Sequence, residues 1–567
     1  MAKRIVIDPI TRIEGHLRID CEVDKGKVSN AWASGTMWRG VEQILLGRDP
    51  RDAWAITQRF CGVCTTVHAI ASVRAVENAL GMGVPKNAQY IRNLMIAAHA
   101  IHDEIVHFYH LSALDWVDVV SATKADPKAT AQLAESLSDW PMNSVKVHTE
   151  TQERLKALVA SGQLGIFANG YWGHPAMKLP PEVNLLAVTH YLQALEVQRK
   201  ANKIVSILGS KTPHIQNVAV GGVSNPIALN SQSVLSIERL LAIEELIADL
   251  EKFITQVYTI DVAAIAAFYP EWLGFGKGVT NYLAAPDFPL DEKGTKFVTS
   301  GGYIPNGDLA AMQPITMFGD PLMRDNVAES VKHAWYRGGK GALHPYAGET
   351  VAELTPFQEA GKYSFVKAPT WAGKPAQVGP LARVLVAAAA KDEAIVKHLT
   401  RVIGIVEAVA KTKVPLAALH STLGRHAARA VMCARNVEIL RDQWELLIAN
   451  IGAGDASTFE KPVFPDHEVQ GFGFHEAPRG MLSHWIVIDK GKIKNYQAVV
   501  PTTWNAAPRN ENDEIGPYES SLLGTPLADP ELPLEVLRTI HSFDPCLACA
   551  VHLVDPSKRD IISVRAL

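Results

Sequence analysis

Apolar residues recur every three to four positions through several long stretches of this chain, and that spacing predicts helices. In residues 87–120, Tyr90, Ile91, Leu94, Met95, Ala98, Ile101, Ile105 and Phe108 share one helical face. The stretch 182–208 repeats the pattern with Leu185, Leu186, Val188, Tyr191, Leu192, Leu195 and Val197. Residues 231–268, 381–411 and Leu416 to about Asn450 read the same way. Residues 50–80 predict a helix that starts after Asp49-Pro50 and is interrupted near Cys61-Gly62. Alternation replaces the helical period in residues 3–35, which read as a β-hairpin turning at Asp24-Lys25-Gly26-Lys27. A second hairpin is expected where the apolar run Trp485-Ile486-Val487-Ile488 meets a turn at Lys490-Gly491. The Gly- and Pro-rich stretches 269–380 and 451–530 predict irregular structure with short strands.

These elements predict a mainly α fold with α+β lobes around a core bundle of long helices. Composition adds exclusions. Apolar residues are 47% of 567, enough for a substantial core. A net charge of −4 with no basic run leaves no surface for nucleic acid. The longest apolar runs, such as Val384 to Ala390, fall well short of the ~18 residues that span a bilayer. The opening Met1-Ala2-Lys3-Arg4-Ile5-Val6-Ile7-Asp8-Pro9 reads as a strand without the apolar stretch of a secretory signal, so no signal peptide is expected in this chain.

Six cysteines are too few for a disulfide framework. Cys21, in an alternating run, and Cys433, in a helical one, read as buried thiols. The other four form two Cys-x-x-C pairs, Cys61/Cys64 followed by His68 and Cys546/Cys549 followed by His552, about 480 residues apart. Each pair brings two sulfurs close enough for one metal ion, and two pairs supply four thiolates to one soft-metal site if the fold joins the ends. A structural zinc knuckle is the plain alternative, but it pairs such units within ~15–20 residues. A thioredoxin-like redox pair needs one exposed Cys-x-x-C at a helix start, not two remote ones. A site built from both ends makes 1–567 a single interlocked catalytic unit. Within it the expected parts are an N-terminal α+β lobe (1–50), a helical core (51–268 and 381–450), an irregular insertion (269–380) and a C-terminal α+β lobe with the ligand motif (451–552).

Four buried thiolates need positive charge nearby. Arg59 adjoins the first pair, and Arg479 lies in Glu476-Ala477-Pro478-Arg479-Gly480. Either is also compatible with an ordinary surface arginine. His99, Asp103, His107 and His110 fall at helical spacing like a metal-binding face. Glu104-Ile105-Val106-His107 has no second Glu-x-x-His to complete a diiron pair, so hydrogen bonding in a polar part of the core is the expected role. Trp172 and Trp272 read as core, and His214 and His344, each beside a proline, as hydrogen-bonding loop residues.

Arg12-Ile13-Glu14-Gly15-His16, the segment Arg59 to His68, Ser421-Thr422-Leu423-Gly424-Arg425, Glu476 to Gly480, Val499-Val500-Pro501-Thr502-Thr503-Trp504-Asn505 and Asp544-Pro545-Cys546 through His552 together resemble the large subunit of nickel–iron hydrogenases. The resemblance runs from residue 3 to the end and is nearest to the membrane-associated respiratory uptake type. It implies that Cys61, Cys64, Cys546 and Cys549 bind nickel, with Cys64 and Cys549 also bridging to an iron that carries two cyanides and one carbon monoxide. It implies that Arg479 stands over the open metal position, oriented by Asp103 and Asp544. Pro478, Leu482, Val500, Pro501 and Thr502 are the expected pocket for the diatomic ligands, with the Thr502 hydroxyl bonding a cyanide. Glu42, the Ala498 carbonyl and His552 are expected to hold a second metal, magnesium or iron. Both Cys549 and Arg479 are candidate bases for the proton of dihydrogen, and Glu14 is the expected next carrier.

Two electrons must leave such a site, and the remaining cysteines are too few for a cluster chain. The resemblance supplies an iron–sulfur small subunit, a membrane-bound electron acceptor, nickel-insertion proteins and a maturation endopeptidase as partners. It implies export with the small subunit to the periplasmic side of the membrane, and a propeptide, 553–567, cut off after His552. Two other readings stand beside it. One is a non-catalytic relative of the kind found in Complex I, which lacks the four cysteines. The other is a cytoplasmic hydrogen sensor or cofactor-reducing hydrogenase.

Overall fold

The computed structural model describes residues 3–64, 66–168, 170–231, 235–338 and 341–550. His552 and the expected propeptide 553–567 lie outside the described residues. The chain is mainly α, with sheet lobes near both ends and small sheets between residues 282 and 371.

The centre is a bundle of long helices. Lys86–Ile105 is buried along almost its whole length and packs between Pro181–Gly209 and Thr422–Gly452. Thr422–Gly452 begins where the Ser421 hydroxyl accepts the Gly424 amide, which satisfies one of the free donors of its first turn. Three of the periodic stretches end or break earlier than their spacing predicts. The 87–120 stretch is α-helical to Ile105, then widens to a π-turn over Val106–Ser112 and tightens to a 3-10 turn at Ala113–Asp115. The 231–268 stretch is Ile237–Phe253 and Thr259–Ala267 joined by a π-turn, Ile254–Tyr258. The 381–411 stretch is two helices, Pro380–Ala389 and Glu393–Ala410. Lys391 takes φ 61° between them, and Asp392 caps the second by accepting from the Ala394 and Ile395 amides.

The N-terminal lobe is a three-stranded antiparallel sheet, Lys3–Ile7, Leu17–Asp24 and Lys27–Gly35, not a lone hairpin. The turn falls at Lys25-Gly26, with φ of 49° and 74°, matching the twist of the strands it joins. The C-terminal sheet, Val469–Ala477, Gly480–Asp489 and Lys492–Val499, turns at Lys490-Gly491 in the same way. It lies directly on the helix Val67–Ala79. A Cβ on Gly473 would sit 2.2 Å from the Ala75 amide nitrogen, so only glycine permits that approach. The loop of Cys61 and Cys64 leads into this helix, so the sheet fixes where the first cysteine pair stands.

The chain ends are tied together. Glu14 and Cys546 form a parallel bridge, in which the Leu547 amide donates to the Glu14 carbonyl at 2.8 Å. Asp115 accepts from Arg12 at 2.5 Å and lies 2.6 Å from His541 Nδ1, so one buried carboxylate clamps residues near both ends.

Candidate metal centre

Cys61, Cys64, Cys546 and Cys549 are buried, and their four sulfurs lie within 4.8 Å of one another. The contacts are 3.3 Å for Cys61–Cys546, 3.5 Å for Cys64–Cys546, 2.7 Å for Cys64–Cys549 and 3.0 Å for Cys546–Cys549. Two sulfurs on one ion stand no further apart than twice a metal–sulfur bond of about 2.3 Å, and all four contacts meet that limit. Burial pushes the thiols of Cys64 (to about 12), Cys546 and Cys549 up, while at Cys61 hydrogen bonds from the other three overcome burial and bring it down. Burial thus works against charge on the sulfurs of Cys64, Cys546 and Cys549. A multivalent soft cation is what would deprotonate them, so the donor set fits a thiophilic metal.

Arg479 is the cation at the site. Its Nη1 donates to Asp103 Oδ2 at 2.9 Å and its Nη2 to Asp544 Oδ1 at 3.1 Å. Burial works against its charge, but Asp544 and Asp103 outweigh burial and raise its pKa further. Asp103 is held well below its ordinary value against burial, chiefly by His99 and Arg479, whereas burial leaves Asp544 above it. Arg429 flanks the same group, 3.1 Å from Glu104 and 3.8 Å from Asp544, and donates to the Pro478 carbonyl. Arg59, the other cation the sequence offers, is exposed. Its place is taken by Arg39, which donates to the carbonyls of Phe60 and Ala548 and so joins the two ligand loops.

The cavity beside the sulfurs is lined by Cys64, Val67, His68, Ala477, Arg479, Leu482, Pro501, Thr502, Cys546 and Cys549. Leu482 and Val500 pack in the apolar cluster that holds the four cysteines. The Thr502 oxygen accepts the Cys546 amide at 3.1 Å. Glu14 reaches the site from the N-terminal lobe. Its Oε2 accepts the Ala548 amide at 2.9 Å and lies 3.3 Å from Cys546 Sγ. The sulfur it touches is that of Cys546, not of Cys549, the cysteine expected as a base. Burial, then the charge of Cys61, pushes its carboxyl up to about 7.

A second polar cavity lies behind the first, lined in part by Glu42, Glu329, Thr350, Lys367, Ala498 and Cys549. Glu42 Oε1 accepts the Ala498 amide at 2.9 Å, and its other oxygen accepts the Thr350 hydroxyl. The described residues bring Glu42 and Ala498 together there.

The helix-face residues disperse. His107 Nε2 faces the His541 carbonyl at 2.6 Å and His110 Nε2 the Tyr191 carbonyl at 3.3 Å. His99, His102 and Asp103 do cluster, but Asp103 is already committed to Arg479, which opposes a second cation there. His344 Nε2 faces the Arg324 carbonyl at 2.8 Å, Trp272 is buried against Trp116, and Trp172 is partly buried against the main core. Residues the sequence did not bring out are Arg39, Arg429, His484 and Tyr496. Each makes a contact between parts of the chain remote in sequence, such as Arg39 with Ala548 and His484 with His68, which leaves no local pattern.

A family model described as nickel-dependent hydrogenase matches residues 39–552, and one described as HoxL-like matches 4–33. The hydrogenase-2 large chain of Escherichia coli K12 is 58% identical over all of both chains. The uptake hydrogenase large subunit of Bradyrhizobium diazoefficiens is 48% identical over 99% of this chain and 97% of its own. Among solved structures, the reduced Ni-Fe-Se hydrogenase of Desulfovibrio vulgaris Hildenborough superposes with a TM-score of 0.78 at 32% identity, over 97% of this chain and 100% of its own. Matches of this extent, on a chain whose four cysteines converge in one buried site, place it in a family: this chain belongs to the nickel-dependent hydrogenases and is a hydrogenase large subunit.

Proposed function

We propose that the chain oxidises dihydrogen in the respiratory uptake direction, with Cys61, Cys64, Cys546 and Cys549 holding a nickel–iron pair whose iron carries cyanide and carbon monoxide. The observation that carries this reading is the convergence of four sulfurs beside one guanidinium fixed by two carboxylates. When bound, the metal pair supplies the open position and electron-accepting levels that polarise dihydrogen.

The chain's own residues then divide the remaining work. Arg479, held through both terminal nitrogens, lines the cavity beside the sulfurs and keeps its proton, since two carboxylates favour its charged form. That leaves a sulfur as the base. Cys546 is the one in contact with a carboxyl group, so the proton passes from Cys546 Sγ to Glu14. Pro478, Leu482, Val500 and Pro501 keep water from the diatomic ligands. Thr502 accepts with its oxygen and retains its hydroxyl proton for a cyanide. Glu42 and the Ala498 carbonyl would hold magnesium or iron in the second cavity, with His552 as the further expected ligand.

Electrons leave through an iron–sulfur small subunit to a membrane-bound acceptor on the periplasmic side, the two subunits being exported together. Nickel-insertion proteins load the site, and an endopeptidase then cuts between His552 and Leu553. The match to the family model, which stops at 552, supports that boundary. An intact mass ending at His552 in active enzyme is expected, and a fully active chain retaining residues to 567 would remove the processing step.

Dihydrogen uptake with an artificial electron acceptor, by this chain purified with its small subunit, tests the main reading. Uptake that disappears together with nickel in Cys61→Ser is expected. Full nickel and normal uptake in Cys546→Ser would overturn it, because an alkoxide is a poor substitute for a soft thiolate.

A further inference from the structure

The turn that carries Arg479 is gripped from behind by a second arginine. Pro478-Arg479 is the two-residue link between the strands Val469–Ala477 and Gly480–Asp489. The Pro478 carbonyl accepts from Arg429 Nη1 at 3.3 Å. The same guanidinium reaches the other segment that fixes Arg479. Its Nε donates at 3.4 Å to the carbonyl of Ser542, two residues before Asp544. Arg425, one turn earlier on the helix Thr422–Gly452, donates from Nε to Ser542 Oγ at 2.8 Å, and its guanidinium lies over the Phe543 ring at 3.8 Å. Asp544 needs such support. Its φ is 60°, a conformation that costs a non-glycine residue free energy and persists where the surroundings over-determine it.

Glu104 completes the arrangement. It follows Asp103 on the helix Lys86–Ile105, where successive side chains point about 100° apart. Asp103 meets Arg479, and Glu104 accepts from Arg429 Nη1 at 3.1 Å. Two neighbouring acids on one helix thus hold two arginines that stand on two other elements. Arg429 is buried, and it does not line the cavity beside the sulfurs.

We infer that Arg429, braced by Glu104, is a positioning residue: it sets the place of Arg479 by holding the carbonyls of Pro478 and Ser542, and it acts on the reaction through Arg479. The inference rests on the reading of Arg479 as the group beside the open metal position. A planar fork serves several acceptors in directions fixed by one rigid group, which an ammonium on a flexible stem does not. Hydrogen bonds from a charged donor are also stronger than neutral ones, so the two carbonyls are held firmly.

A double-mutant cycle on the purified complex tests it, with dihydrogen uptake counted per loaded nickel and crystal structures of the variants beside it. Arg429→Lys alone is expected to lower kcat about 10–10²-fold, with nickel content and the KM for dihydrogen unchanged, as for an interaction made only in the transition state. In its crystal structure the contact between Arg479 and Asp544 is expected to open beyond about 3.5 Å while the four sulfurs stay in place. Arg429→Lys combined with Arg479→Lys is expected to be no slower than Arg479→Lys, because a residue that acts through Arg479 then has nothing left to position. Glu104→Ala should slow turnover per nickel, and Glu104→Gln, which keeps an oxygen toward Arg429, should restore most of it. Burial, against the pull of Arg429, pushes the Glu104 carboxyl up to about 7, so a neutral amide is close to its own protonated form.

Losses that multiply in the double variant overturn the inference, as does an Arg479 still in place in a slowed Arg429→Lys. Should Arg429→Lys load no nickel, the two Glu104 variants decide. Equal rates per nickel in them, or uptake that falls only in step with nickel, overturn it. Full turnover in Arg479→Lys alone overturns instead the reading of Arg479 on which the inference stands.

Discussion

Glu14 and Cys546 are separated by 532 positions, yet the carboxylate Oε2 of one lies 3.3 Å from the Sγ of the other. A proton on the Cys546 sulfur faces that oxygen, so Glu14 is placed to take it and carry it onward. Glu14→Gln keeps the shape and the Ala548 contact but cannot relay a proton. Uptake is expected to fall by about 10²–10⁴-fold with nickel content unchanged, read by dye reduction and metal analysis on the same sample. Wild-type uptake would take Glu14 off the proton path.

Arg479 is held by Asp103 and Asp544 through different nitrogens. An ammonium cannot span both, so Arg479→Lys leaves one buried carboxylate unpaired and the charge displaced. A displacement of this kind costs on the order of 10²-fold in rate. The metals should stay, since no sulfur is touched. Loss of nickel in this variant would reassign Arg479 from turnover to assembly.

Gly15 closes the gap between the two ends of the chain. Its φ is +81°, and a Cβ there would stand 2.5 Å from the Ala548 amide nitrogen. Gly26 has a similar φ of +74° with nothing within 4 Å. Gly15→Ala is therefore expected to lose nickel, because the Cys546–Cys549 segment cannot seat. Gly26→Ala suffers only backbone strain, about 1 kcal/mol, and should load normally. Equal nickel contents in the two variants would contradict the close-approach argument.

Asp115 gives a dependence on acid. Burial alone would raise its carboxyl, but Arg12 and His541 outweigh burial and hold it down at about 2, below its ordinary 3.8. A carboxylate depressed in the folded state contributes stability that is complete above the ordinary value and is lost as pH falls through the folded one. Asp115→Asn should lower stability at pH 7 by about 3–5 kcal/mol, the cost of breaking a buried ion pair. The difference in Tm between variant and wild type should shrink as pH falls from about 4 toward 2. A difference that stays constant over that window would show that the clamp carries no linked charge.

The long helices were legible because their apolar faces repeat at the helical period over many turns. What the period misses is local geometry: the π-turns at Val106–Ser112 and Ile254–Tyr258 add a residue without changing composition, and the break at Lys391 rests on one positive φ. The helices Pro127–Leu137 and Val145–Ala160 carry caps at Asp126 and Ser144 and lie outside the strongly periodic stretches. At the site, the two cysteine pairs point to a shared metal by residue type and spacing alone, and charge balance offered Arg59 and Arg479, whereas the resemblance chose Arg479 and supplied Glu14 and the second metal. The contacts His68–His484 and Tyr496–Ser72 were not legible, because each joins residues more than 400 positions apart on a helix and a sheet.

Infrared spectroscopy of the purified complex, with nickel and iron counted on the same sample, tests the central reading most directly. Cyanide and carbon monoxide stretches with one nickel and one iron per chain are expected. Zinc bound at the four thiolates, with no diatomic bands and no nickel, would contradict it.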